Sequence, residues 1–158
     1  RSVYSHNTII VDKLEQNVDQ AKKVFGNSYE SKSELSIDGH SLKGFLQVNH
    51  KTKAYQHIRR ISIKDKTCEI EDKIISKSCN NYIVNFILHP NIKIYYENEG
   101  IVLNNQGIKL KLNNCGWNIK QALYSPQYGV WVKTKALQSQ EYYIKDHPIN
   151  KVIFSIIN

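Results

Sequence analysis

The chain has 158 residues, a formal charge of +8 and a pI near 9.3, enough length for one domain with a sizeable core. With 7 Gly and 3 Pro it is neither collagen-like nor a low-complexity disordered segment, and no apolar run approaches the roughly 18–20 residues that cross a membrane. The positive balance suits an acidic partner such as nucleic acid, anionic lipid or acidic polysaccharide. The basic residues are dispersed, however, with Lys22-Lys23 and Arg59-Arg60 the longest runs. A dispersed distribution fits a solvated surface better than a nucleic-acid footprint.

The chain opens on R-S-V-Y-S-H-N-T-I-I-V-D, without an initiator Met. The polar cluster Ser5, His6, Asn7 and Thr8 runs directly into the β-branched segment Ile9–Val11, as at the mouth of a strand. A His-Asn pair there can hold a metal or a sugar. A strand so near the start suggests a domain taken from a longer protein, and residues 1–158 are read as that single domain. Next, Leu14, Val18, Ala21 and Phe25 recur at helical spacing between Lys13 and Gly26, which allows either a short helix or an ordered loop.

From there the period is two. Strands are expected at Leu42–Val48, His57–Ile63, Cys68–Ile75, Asn81–Leu88, Ile92–Tyr96, Ile101–Leu103, Ile108–Leu112, Trp117–Tyr124, Val130–Lys135, Glu141–Ile144 and Val152–Ile157. Turn signals separate them, among them Asp38-Gly39, Asn80-Asn81, Asn104-Asn105-Gln106-Gly107 and Ser125-Pro126. Short alternating strands at such spacing describe an all-β, two-sheet antiparallel sandwich. The expected core includes Val84, Phe86, Leu88, Leu110, Leu112, Val130, Val132 and Phe154. Trp117 and Trp131 are also expected inside, as ordinary strand aromatics.

Chemistry-bearing motifs are sparse. Cys68, Cys79 and Cys115 contain no C-x-x-C; a Cys68–Cys79 disulfide across a hairpin is possible, but free thiols are favoured. His40, His50, His57 and His147 read as surface or satisfied core residues, and His89 before Pro90 as a strand terminator. Glu69, Glu71 and Asp72 read as a solvated hairpin face. No nucleophile elbow, P-loop or dinucleotide turn is present, and no catalytic residue is assigned.

The segment R-S-V-Y-S-H-N-T-I-I-V-D-K-L-E-Q resembles the start of the C-terminal sheet region of heparinase II/III-like proteins. Four further elements follow in the order that family shows: H-I-R-R-I-S-I (His57–Ile63), I-E-D-K-I (Ile70–Ile74), N-F-I-L-H-P (Asn85–Pro90) and Y-S-P-Q-Y-G-V (Tyr124–Val130). Lys13 departs from the pattern, which often has Gly there, and suggests a different turn. The resemblance implies a bacterial polysaccharide lyase with an N-terminal α/α-toroid before the sandwich. Such an enzyme would cleave an acidic, uronate-containing polysaccharide, glycosaminoglycans included, by β-elimination, in the periplasm, cell envelope or outside the cell.

It also implies that His6 is a zinc ligand completed by upstream residues, so that this chain alone binds no zinc. Arg1 and Asn7 are candidate substrate-binding residues. The isolated chain is expected to be inactive and prone to self-association, with no nucleic acid as partner. The alternative is a non-catalytic sandwich that binds acidic glycans or serves polysaccharide biosynthesis.

Overall fold

The alternating segments become strands in a computed structural model that describes residues 3–14, 29–50, 52–97, 100–112 and 116–157. A 3-10 turn at Val3–Ser5 precedes β1 (Thr8–Val11). Four long strands follow: β2 (Tyr29–Asp38), β3 (Ser41–His50), β4 (Lys53–Lys64) and β5 (Thr67–Ser76). Then come β6 (Asn81–Ile87), β7 (Lys93–Glu97), β8 (Gly100–Asn105), β9 (Ile108–Leu112), β10 (Asn118–Tyr124), β11 (Val132–Gln138), β12 (Tyr142–Tyr143) and β13 (Ile149–Ile157). The segment between Lys13 and Gly26, which allows either a short helix or an ordered loop, falls almost wholly outside the described residues.

Every pairing is antiparallel. The small sheet has the order β1-β6-β11-β10, with β12 also on β6. The large sheet has the order β2-β3-β4-β5-β13-β9-β8-β7, so β13 joins a four-stranded meander to a three-stranded one. Tight hairpins set the registers. Gln106 and Gly107 take φ of 51° and 88° between β8 and β9, the left-handed pair that matches strand twist.

The inward faces meet in one apolar core. Ile9, Val11, Tyr82, Val84, Phe86, Trp117 and Leu137 come from or beside the small sheet; Val48, Tyr55, Ile74, Ile101, Leu103, Leu112 and Val152 come from the large one. Phe86 bridges the layers, its ring 5.8 Å from Trp117 and 5.5 Å edge-on to Phe154. The fold is thus the expected two-sheet antiparallel sandwich. Val84, Phe86, Leu88 and Leu112 are buried, and Leu110 and Phe154 pack against them.

Two departures from the sequence expectations have local reasons. Val130 and Val132 are exposed, because β11 pairs with β6 only over Ala136–Gln138 and its earlier residues run out on the β10–β11 arm alone. Its buried positions are Thr134, Ala136 and Leu137. Strand β2 was not anticipated: its residues from Lys32 onward are exposed and mostly polar, so no apolar alternation marks them. Asp12 and Lys13 take φ of 45° and 59°, in the left-handed region that favours glycine. Cys68 and Cys79 are free thiols, and burial pushes the Cys68 thiol up; Cys115 lies outside the described residues. Among the described residues no helix is long and apolar enough to cross a membrane.

Candidate functional site

Strand β1 is only four residues long, and both of its ends are fastened to β4 in the opposite sheet. Before its start, the Asn7 carbonyl accepts a 2.6 Å bond from Arg59 Nη1. After its end, Asp12 Oδ2 accepts a 2.5 Å bond from Lys53 Nζ. The two crossings run in opposite chain directions and leave β1 little freedom to slide.

Arg59 is itself held by a buried carboxylate. Asp72, directly opposite it on β5, has no solvent exposure. Its Oδ1 and Oδ2 accept from Arg59 Nε at 2.7 Å and Nη2 at 2.8 Å, and His57 Nε2 lies 2.6 Å from Oδ1. Such a bidentate pair is both strong and geometrically strict. The guanidinium also lies 5.8 Å from the centroid of the Phe86 ring. Burial alone raises the Asp72 carboxyl pKa, but the bonds from His57 and Arg59 outweigh it and hold the group below the usual carboxylate range. The reading of Asp72 as a solvated hairpin residue is therefore corrected. It lies in register with Ile70 and Ile74 on the inward face of β5, and that period-two position is the signal that could have found it. His57 is the satisfied core histidine that its context suggests.

Asp12 organises the other end. Its Oδ1 accepts from the amides of Asn81 at 2.9 Å and Asn80 at 3.1 Å. Burial pushes its carboxyl up, yet Lys53 and these amides bring it below the ordinary value, and the same bond raises the Lys53 ammonium. A carboxylate with a lowered folded pKa stabilises above its unfolded value of roughly 4 and loses that contribution as pH falls through the folded value. The urea midpoint is accordingly expected to fall as pH drops below about 4, and Asp12→Asn to flatten that dependence. The Lys53 contribution has the opposite sense: it is present below about pH 10 and lost as pH rises through the raised value.

The result is a tightly seated H-N-T segment. Asn85, fully buried on β6, donates Nδ2 to the His6 carbonyl at 2.8 Å and accepts at Oδ1 from Gln138 Nε2 at 3.0 Å. The Asn7 side chain accepts from the Ile87 amide at 2.5 Å. With both neighbouring carbonyls fixed, His6 lines a cavity of about 730 Å³. Its Nε2 is buried and has no hydrogen-bond partner among the described residues. Ser5, Asn7 and Ile87 share the cavity wall with Tyr124 at the end of β10 and with the β10–β11 loop, which contributes Gln127, Tyr128 and Trp131.

Trp131 is therefore a correction as well: it is 55% exposed at the cavity, not in the core, whereas Trp117 is buried as expected. The structure brings His6 and Asn7 together, with Asn7 partly committed to β6; Arg1 lies outside the described residues. Sequence reasoning did not identify Arg59, Asp72 or Asn85, which seat the motif, or Tyr128 and Trp131, which face it. Among the described residues no group of three or more His, Cys, Asp or Glu side chains could enclose a metal. His6 Nε2 fits a single zinc-ligand position, and the described residues do not supply a further set of donors.

The five sequence elements meet in this one region through the Asp72–Arg59–Asn7 and Asn85–His6 bonds and the cavity lining. The family model described as Heparinase II/III-like, C-terminal matches residues 1–154. A solved heparinase III gene-product structure superposes with a TM-score of 0.61 at 16% identity, over 98% of this chain and 24% of that one. At that identity the likeness concerns the fold, and this chain spans about a quarter of the solved protein's length. No curated protein gives a significant match.

Proposed function

The chain belongs to the heparinase II/III-like C-terminal family, and from that premise we propose that it is the sandwich portion of a polysaccharide lyase acting on an acidic, uronate-containing glycan. The observation that carries this reading is that three of the five family-like elements line the His6 cavity while the other two, through Asp72 and Arg59, seat its H-N-T wall. His57, Arg59 and Asp72 form one buried cluster; Arg59 reaches Asn7, Asn85 holds His6, and the Tyr124–Val130 element supplies the facing wall.

In β-elimination a base removes the proton at C5, next to the uronate carboxyl group. The C4–O4 bond breaks, a C4=C5 double bond forms, and an acid protonates the departing oxygen. The carboxylate must be neutralised so that the carbanion-like transition state is stabilised. Those groups must converge on one sugar within hydrogen-bond reach. The described residues of this chain offer one wall of such a cleft, and we assign the remaining groups to a separate N-terminal domain. His6 is proposed as one zinc ligand in the intact protein, seated by Asn85 and Arg59; the metal would supply Lewis-acid or structural stabilisation.

The test is the ultraviolet absorbance of the unsaturated uronate. The full-length protein is expected to generate it from at least one polymer in a broad uronate panel, and residues 1–158 alone to generate none. His6→Ala in the full-length protein should lower the rate by at least about tenfold, within the roughly 10–100-fold seen when a metal's surroundings are disturbed. No product from any uronate polymer would remove the lyase reading and leave the fold.

A further inference from the structure

The cavity beside His6 is lined by no Asp, Glu, Lys or Arg among the described residues, although the chain carries a formal charge of +8. Among the described residues, the basic side chains that would suit a uronate carboxylate lie outside this lining. What the cavity offers instead is aromatic surface flanked by neutral polar groups. Tyr128 is 94% exposed and Trp131 55% exposed, and Ser5, Asn7, Ser125 and Gln127 are the polar residues beside them. Its volume of about 730 Å³ falls within the ~300–1,000 Å³ range of small-molecule sites.

Tyr128 and Trp131 line the same cavity, so their exposed rings are grouped at one place and not scattered singly over the surface. The inward side of β11 is filled by Thr134, Ala136 and Leu137, so neither ring is required there. The loop that carries them is nevertheless ordered by its own bonds. Ser125 Oγ donates to the Gln127 carbonyl at 2.9 Å, and the Val130 amide donates to the same carbonyl at 3.1 Å. Gly129, at φ of 79°, makes the turn between Tyr128 and Trp131. A loop backbone ordered in advance has less freedom to lose when a ligand arrives. On the opposite wall, the Arg59 and Asn85 bonds hold the Asn7 and His6 carbonyls in place.

We propose that this cavity is a subsite for an uncharged hexopyranose unit, stacked on Trp131 and Tyr128 and distinct from the place where a uronate carboxylate is neutralised. A pyranose ring presents an apolar C–H face to an aromatic ring and hydroxyls around its edge to amide and hydroxyl groups. A carboxylate in the same place would lose water and meet no cation among the described lining residues. The assignment of a glycan, as opposed to another uncharged amphipathic ligand, rests on the lyase reading above.

The experiment titrates the 158-residue chain with an array of uncharged hexose and N-acetylhexosamine oligosaccharides, with oligogalacturonate as the acidic comparator. Binding is read by calorimetry and tryptophan fluorescence. At least one uncharged probe is expected to bind saturably. Raising salt from about 0.05 to 0.5 M should change its affinity less than about twofold, because no lining charge is screened. Trp131→Ala and Tyr128→Ala should each weaken it by about tenfold, with Trp131→Phe keeping part of the affinity. Unchanged circular dichroism would confirm that these exposed positions were altered without unfolding.

Binding of no uncharged probe, binding unaffected in the Trp131→Ala/Tyr128→Ala double variant, or a salt-sensitive preference for oligogalacturonate would each overturn the subsite. The two readings separate cleanly. Lyase product from the full-length protein without uncharged-sugar binding removes the subsite alone. Uncharged-sugar binding without lyase product removes the lyase reading alone.

Discussion

Asp72→Ala is expected to destabilise the sandwich by about 3–5 kcal/mol, a large share of the ~5–15 kcal/mol that holds a domain together. The loss exceeds that of a contact simply removed. Arg59 and His57, 14% and 6% exposed in their side chains, would be left beside an apolar gap without their acceptor. Urea unfolding followed by far-ultraviolet circular dichroism measures it. The pair Arg59→Met with Asp72→Leu should recover the part of the loss due to Arg59, because a buried ion pair can be replaced by apolar side chains of similar size at little cost, while His57 still lacks its acceptor. That double variant would still lack the bond to the Asn7 carbonyl, so its His6 ring resonances should shift although that part of the stability returns. Equal instability of the single and double variants would show that the cluster does not act as a charge-compensated unit.

Phe86→Ala is expected to cost about 3–5 kcal/mol, the range for emptying a buried aromatic position. The ring joins the small sheet to Phe154 of the large one, touches Trp117 and supports the Arg59 guanidinium. Its removal should therefore weaken inter-layer packing and the seating of the H-N-T segment together. The near-ultraviolet band of Trp117 should change, and the urea midpoint should fall far more than for Phe86→Leu, which refills most of the space. A cost near 1 kcal/mol would mean that the layers close around the gap.

The strands with one buried face were legible because their side chains obey the pleat: Tyr82, Val84 and Phe86 alternate inward along β6, as do Ile70 and Ile74 along β5. The edge strand β2 was not, since a strand with little to bury carries no apolar rhythm. At the site, His6 and Asn7 were found through the family-like motif, but their supports were hidden by residue type. A charged Asp72 at an inward position looks like surface until its partners on β4 are known, and β4 meets β5 only through the register of the hairpin. Trp131 misled in the opposite direction: its apolar ring suggested the core, whereas β11 parts from β6 before reaching it.

The position of β13 in the large sheet bears on how the protein is made. It separates β5 from β9, and its pairing of Val152 with Ile70 joins residues about half the chain apart. During synthesis the two meanders can each zip locally, but until β13 emerges each presents an open rim of unsatisfied amides and carbonyls. The step expected to be slow is the insertion of β13 between the two meanders, a high-contact-order pairing before which both rims are exposed to neighbouring chains. Translation past Ile149–Ile157 thus governs the interval in which nascent copies are vulnerable to strand exchange with one another.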